Sequence, residues 1–276
     1  MNKMINIKRL SLAILIVLLL AFIGLCVWAQ DKYVVPILMY HSVSSADMKL
    51  FTVFRPPLNV KFRLNIVSPQ VFERQMRFLK NNGYQVIPLD EYVEGNKARK
   101  KFSHKTVVIT FDDGYVDNYK NVFPILKKYH FPATIFLISD YVGKKKELLT
   151  WEQVKEMSQY GISFGSHTRR HAYLPNLSKE EMKDEIIGSK HIIEEQLGKP
   201  VDYIAYPIGG FSEEIKAITA LAGYKAALTT NRGYDRYGID GYELNRIHVN
   251  NWDNDMTFYG KLSGYYNIFR QLKPSH

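Results

Sequence analysis

After its first 29 residues the chain alternates short β-like runs with helix-length patterns, and that alternation leaves few folds open to it. Val34–Tyr40 reads as a first strand. Ser68 and Pro69 then start a helix whose Phe72, Met76 and Leu79 share one face before Gly83 stops it. Further strands read at 107–111, 133–138, 161–165, 203–206, 226–229 and 244–249. Helical patterns separate them at 118–129, with a break at Pro124, at 150–158, at 178–197 behind a Ser178/Glu181 capping box, and at 212–222. Strands alternating with helices of about 10–15 residues imply parallel βαβ units. The prediction is an α/β fold, a distorted (β/α) barrel of about seven parallel strands behind an N-terminal hydrophobic helix. In such a barrel the chemistry gathers at the C-terminal ends of the strands.

The first 29 residues belong to a different environment. Lys3, Lys8 and Arg9 precede a charge-free stretch from Leu10 to Ala29. At about 1.5 Å per residue, a helix of that length spans a hydrocarbon layer of roughly 30 Å. Residues 1–29 therefore read as a signal peptide or a signal anchor, with a possible cleavage after Ala29, and residues 30–276 as one exported domain. Both routes put the body outside the cytoplasm, and the anchor would also tie it to the membrane. Cys26 is the single cysteine and lies inside this segment, so the body has no disulfide. Leu25 before it is too large for a good lipoprotein site. Three of the 37 Lys and Arg lie in the leader and none of the 27 Asp and Glu does, which leaves the body at +7. Clusters at Lys97–Lys101 and Lys144–Lys146 suit either an anionic neighbourhood or plain solvated loops. No nucleic-acid motif accompanies them, and a monomer is expected.

Two groups of residues carry chemistry. Asp112-Asp113-Gly114 closes the apolar run Thr106–Phe111, and His167 and His171 follow about fifty residues later. Asp-Asp-Gly alone is a common turn. Fed by a buried strand, however, its two carboxylates point differently, so one can bind a cation while its neighbour moves a proton. An Asp with two His is a sufficient set for a divalent ion. Gly161, Gly165 and Pro175 around the histidines argue for a strand-end turn rather than a helix. His41, closing the first strand, either lies on the same rim, facing substrate or supporting the site from behind, or is bonded to a loop carbonyl.

At these residues the chain resembles the polysaccharide deacetylases, the NodB homology domain of carbohydrate esterase family four. Thr110–Gly114 matches that family's first motif and Ser166–His171 its second. Softer similarity runs through Val35–His41, Ser68–Met76, Asn82–Tyr84, Thr150–Glu152, Ala205–Gly209 and Leu244–His248. The resemblance implies that Asp112 is the general base and that Asp113, His167 and His171 bind one divalent ion, zinc or similar. It further implies that His248 is the general acid and that the Ile208 N–H holds the oxyanion. Apart from the resemblance, the aromatic Tyr206 beside this loop is expected to offer a ring to the sugar. Ala205 stands where the family often has an Arg that orients the base, and Ile208 where it often has Tyr. Orientation of Asp112 must then come from elsewhere.

The function so implied is metal-dependent removal of N-acetyl groups from an extracellular N-acetylglucosamine polymer, either poly-N-acetylglucosamine or peptidoglycan. Two other classes compete with it. The Ala205 and Ile208 changes suit a catalytically weak carbohydrate-binding protein on the same fold. Two His and one carboxylate also form the facial triad of non-haem iron oxygenases, although those sites generally sit on antiparallel jelly-rolls.

Overall fold

The computed structural model describes residues 12–25, 35–45, 65–231 and 240–263. Ten short strands are found among them: β1 (Ile37–Tyr40), β2 (Ser42–Val43), β3 (Ile66–Val67), β4 (Gln85–Val86), β5 (Thr106–Phe111), β6 (Thr134–Leu137), β7 (Ser163–Ser166), β8 (Tyr203–Ala205), β9 (Ala226–Leu228) and β10 (Ile247–His248). Seven of them form one parallel sheet in the order β10-β1-β5-β6-β7-β8-β9. β4 adds to the start of β5, and β2 pairs with β3 separately. The segment leading into β10 also touches the far end of this order. Leu244 bridges Leu228, its carbonyl accepts from Thr229 N–H at 2.8 Å, and Arg246 N–H donates to Asn231 at 3.0 Å. Residues 244–248 thus contact both β9 and β1 and bring the sheet round on itself. The expected barrel of seven parallel strands is the observed architecture.

Alternation along the strands sorts the residues into two layers. Ile37, Val108, Phe136, Ala205, Leu228 and Leu244 form an inner cluster, closed at the strands' N-terminal side by Leu89, Tyr92 and Val93 from the helix Leu89–Lys97. The intervening Leu38, Ile109, Ile135, Phe164, Ile204 and Ala227 belong to a larger cluster that they share with Phe72, Met76 and Leu79 of the helix Pro69–Asn81. Carried two residues at a time past the strand ends, the inward set includes His41, Asp112, His167, Arg246 and His248. Period-two geometry therefore aims one functional group after another at the same mouth.

Gly165 makes room for this interior. A Cβ there would lie 2.5 Å from Phe136 Cε1 and 2.8 Å from the Tyr203 carbonyl oxygen. Phe136 is fully buried and the carbonyl is backbone, so neither yields cheaply. Gly165→Ala is expected to cost about 1–3 kcal/mol by overpacking. In a domain of this size that lowers Tm by roughly 2–12 °C, which a calorimetric scan measures.

Local signals hold closely. Ser68 caps the helix Pro69–Asn81 by accepting from Val71 N–H, and capping boxes start the helices Trp151–Tyr160 (Thr150 with Gln153) and Lys179–Lys183 (Ser178 with Glu181). The break expected at Pro124 takes a definite form. A π-helical stretch, Asn118–Val122, feeds the helix Phe123–Tyr129, and Phe123 N–H reaches back five residues to Asn118. Pro124 has no N–H to continue the regular ladder. The helix expected over 178–197 likewise contains a π-helical stretch, Asp184–Gly188, before it resumes as Ser189–Leu197.

Residues 12–25 form a helix whose side chains are exposed. At about 1.5 Å per residue the described part covers roughly 21 Å. No helix among the described residues is long and apolar enough to cross a membrane. Residues 10, 11 and 26–29 of the expected span, with the cleavage point after Ala29, lie outside the described residues.

Candidate metal centre and catalytic rim

The C-terminal ends of β5 and β7 bring Asp113, His167 and His171 together. Asp113 Oδ1 lies 3.5 Å from His167 Nε2 and 3.5 Å from His171 Nε2. The three ligand atoms are all within 4.8 Å of one another. The two imidazoles meet edge to face, 4.8 Å between centroids. Donors about 2.05 Å from a tetrahedral zinc are roughly 3.3 Å apart, so the two 3.5 Å Asp–His spacings suit such an ion.

The tautomer of His167 makes the same case. Its Nδ1–H donates to the Ala205 carbonyl at 2.6 Å, which leaves a lone pair on Nε2 facing the Asp113 oxygen. Burial pushes this imidazole down to about 4, against the pull of the Asp112 and Asp113 charges, so the ring is neutral near pH 7. Two acceptors thus face each other with no proton between them, an arrangement that a cation resolves.

In metal-free protein this depressed pKa makes stability depend on pH. Unfolded histidine titrates near 6.5, so the contribution is complete above that pH and is lost as pH falls through about 4. Its ceiling is roughly 3 kcal/mol. Denaturant midpoints measured between pH 7 and pH 4 are expected to fall accordingly.

The turns after β5, β7 and β8 are strained. Asp113, Thr168, His171 and Ile208 all have positive φ, at 70°, 63°, 61° and 59°. For non-glycine residues, and above all for the β-branched Thr168 and Ile208, this conformation is costly and gathers where function requires it. Gly114 continues the turn at φ 69°, and a Cβ there would meet Leu137 Cδ2 at 2.7 Å.

Asp112 faces the other way, into the barrel. Arg246 grips it with two bonds, Nη1 to Oδ1 at 2.6 Å and Nη2 to Oδ2 at 2.7 Å, and both side chains are fully buried. Arg246 Nε donates to the Thr229 carbonyl at 2.8 Å, which fixes the guanidinium plane. Burial alone would raise the Asp112 carboxyl. The Arg246 charge, with help from His167, the Arg246 bonds and His41, holds it well below the usual carboxylate range. The missing orienting residue at Ala205 is thus replaced from another strand. Arg246 was not among the expected site residues.

The other expected residues divide. His41 is on the rim, with Nε2 3.9 Å from Asp112 Oδ2, and its backbone carbonyl accepts from Asn118 Nδ2 at 3.0 Å. Asp117 binds Ser42 Oγ at 2.6 Å and Val43 N–H at 3.0 Å, and so anchors the chain beyond His41. His248 stands beside His41, ring centroids 6.3 Å apart, and its Nε2–H donates to Asn65 Oδ1 at 3.0 Å. Ile208 is exposed at the mouth, and its carbonyl accepts from Thr230 Oγ1 at 3.1 Å. Tyr206 is a correction. It is fully buried, stacks on Phe211 and donates its hydroxyl to Thr219 Oγ1 at 3.4 Å, so its ring offers no face to a sugar. One position after the strand, the alternation sends it to the outer core, not to the mouth.

Comparison with known proteins agrees with this geometry. Residues 99–227 match the family model described as polysaccharide deacetylase. Over 214 residues the chain is 38% identical to YxkH of Bacillus subtilis, named as a candidate polysaccharide deacetylase, covering 78% of this chain and 71% of that one. It is 32% identical over 199 residues to a poly-beta-1,6-N-acetyl-D-glucosamine N-deacetylase of Staphylococcus epidermidis, covering 67% and 68%. Among solved structures, the deacetylase PplD of Streptococcus pyogenes, in complex with acetate, superposes with a TM-score of 0.75 at 30% identity, over 84% of this chain and 99% of that one.

Proposed function

The chain belongs to the polysaccharide deacetylase family, and on that premise we propose that it hydrolyses N-acetyl groups from a polymer of N-acetylglucosamine outside the cytoplasm. The observation that carries this reading is the divergence of two adjacent carboxylates, Asp113 toward a histidine pair and Asp112 toward a buried arginine. Asp113 Oδ1, His167 Nε2 and His171 Nε2 would hold zinc or a similar divalent ion, which supplies Lewis acidity and makes water a nucleophile near neutral pH.

The protein's own groups do the rest. Asp112, ionised and fixed by Arg246, accepts a proton from the attacking water through a lone pair that the bidentate contact leaves open. The Ile208 N–H, presented by the strained turn after β8, stabilises the oxyanion. His248 gives a proton to the departing nitrogen, with His41 beside it on the mouth. Water adds to the amide carbon, the C–N bond breaks, and acetate and a free amine result. The catalytically weak alternative was motivated by the Ala205 and Ile208 changes; Arg246 answers the first, and a backbone donor at Ile208 survives the second.

Among polymers, poly-β-1,6-N-acetylglucosamine is the preferred substrate. The Staphylococcus epidermidis relative is named for that activity. Residues 1–29 serve as signal peptide or membrane anchor in this reading. The test is acetate release from β-1,6-linked N-acetylglucosamine oligomers and from peptidoglycan, side by side, with metal content measured on the same sample. Release is expected to stop on chelation and return with zinc. Binding without turnover at full metal occupancy would instead identify a carbohydrate-binding protein.

A further inference from the structure

The stretch between the two histidines holds its shape against backbone strain, since Thr168 and His171 flank it at φ 63° and 61°. Such strain persists only where the surroundings over-determine it. A side chain from outside the site does so here. Glu185 is 1% exposed. Its Oε2 accepts from Arg169 N–H and from Arg170 N–H, each at 2.9 Å, and its Oε1 lies 2.7 Å from Arg170 Nε. The carboxylate therefore grips two consecutive amides lying between Thr168 and His171.

Its position comes from the π-helical stretch Asp184–Gly188, where the widened turn sets Glu185 against the loop. Asp184 next to it bonds Arg169 Nη1 and, at 2.6 Å, Arg170 Nη2, and Asp140 approaches both guanidiniums. Two cations beside the metal centre are thus matched by three carboxylates. They form no anion site of their own, and the cluster's remaining role is to fix the loop.

We infer that Glu185 is a positioning residue for the metal centre: by holding the Arg169 and Arg170 amides it keeps His171 Nε2 in register with His167 Nε2 and Asp113 Oδ1. It touches neither substrate nor ligand atoms. This rests on the reading of those three residues as metal ligands. Losing a group that orients a metal ligand typically weakens metal affinity by about 10–100-fold.

The test compares the full chain with Glu185→Gln, which removes the charge facing Arg170, and with Glu185→Asp, which withdraws the carboxylate by one methylene. Zinc affinity is measured by competition with a chromophoric chelator, and acetate release is followed as zinc is titrated. Both variants are expected to bind zinc about 10–100-fold more weakly and to recover kcat at saturating zinc, with KM little changed. A folded variant that binds zinc as tightly as the parent overturns the inference, as does a loss of rate that zinc does not restore. If neither variant folds, Glu185 is a folding element and the inference falls. A parent chain that binds no zinc sinks the metal-site reading itself, and the inference with it.

Discussion

Arg246→Met is expected to cost about 3–5 kcal/mol of stability and to lower kcat at least about a hundredfold. The two losses have one origin. Asp112 and Arg246 are both fully buried and joined by two short bonds, so removing the guanidinium leaves a carboxylate without water or counter-charge. That carboxylate then escapes its penalty by taking a proton, and a protonated Asp112 is no base. Arg246→Lys is not a gentle version of the change, because one ammonium cannot reproduce a planar two-point contact. The double variant Asp112→Asn/Arg246→Met separates the effects. Removing both charges is expected to restore most of the stability while activity stays low, as read by denaturant unfolding and acetate release. Simple addition of the two single-variant losses would show that the side chains do not act as a unit.

Adjacent aspartates are expected to fail in different ways. Asp113→Ala removes one of three ligands. If each contributes a third of the roughly 10–16 kcal/mol typical of bound zinc, affinity falls by 3–5 kcal/mol, a hundredfold to several thousandfold, and activity goes with it. Asp112→Asn keeps the ligands and is expected to retain metal while losing about 10²–10⁴ in kcat. Metal content after dialysis, set against acetate release for both variants, distinguishes them. An Asp112 variant that shed metal as readily as Asp113→Ala would mean that the pair shares one role.

Sequence periodicity placed the strands well because the barrel interior is apolar, and apolar alternation is visible one residue at a time. Asp112, Asp113, His167 and His171 stood out for the same reason, being polar residues at the ends of apolar runs. Arg246 did not. It lies 134 positions from its partner, and nothing local marks a buried arginine. A signal existed all the same: if His248 points into the mouth, so does position 246, and an inward arginine needs an anion there. Tyr206 failed on the same rule, since a residue one step from an inward position points outward. Glu185 was hidden by its helix, because a π-helical stretch rotates it out of the expected 3.6-residue phase.

The segment that closes the ring also carries the arginine, and this orders events in time. A chain made or exported from its N-terminus presents Asp112, Asp113, His167 and His171 well before residue 246 arrives. Until then Asp112 has no Arg246 to pair with and the sheet has not returned on itself. On the proposed reading, the order of synthesis therefore supplies the residues of the cation pocket before the arginine that fixes the base.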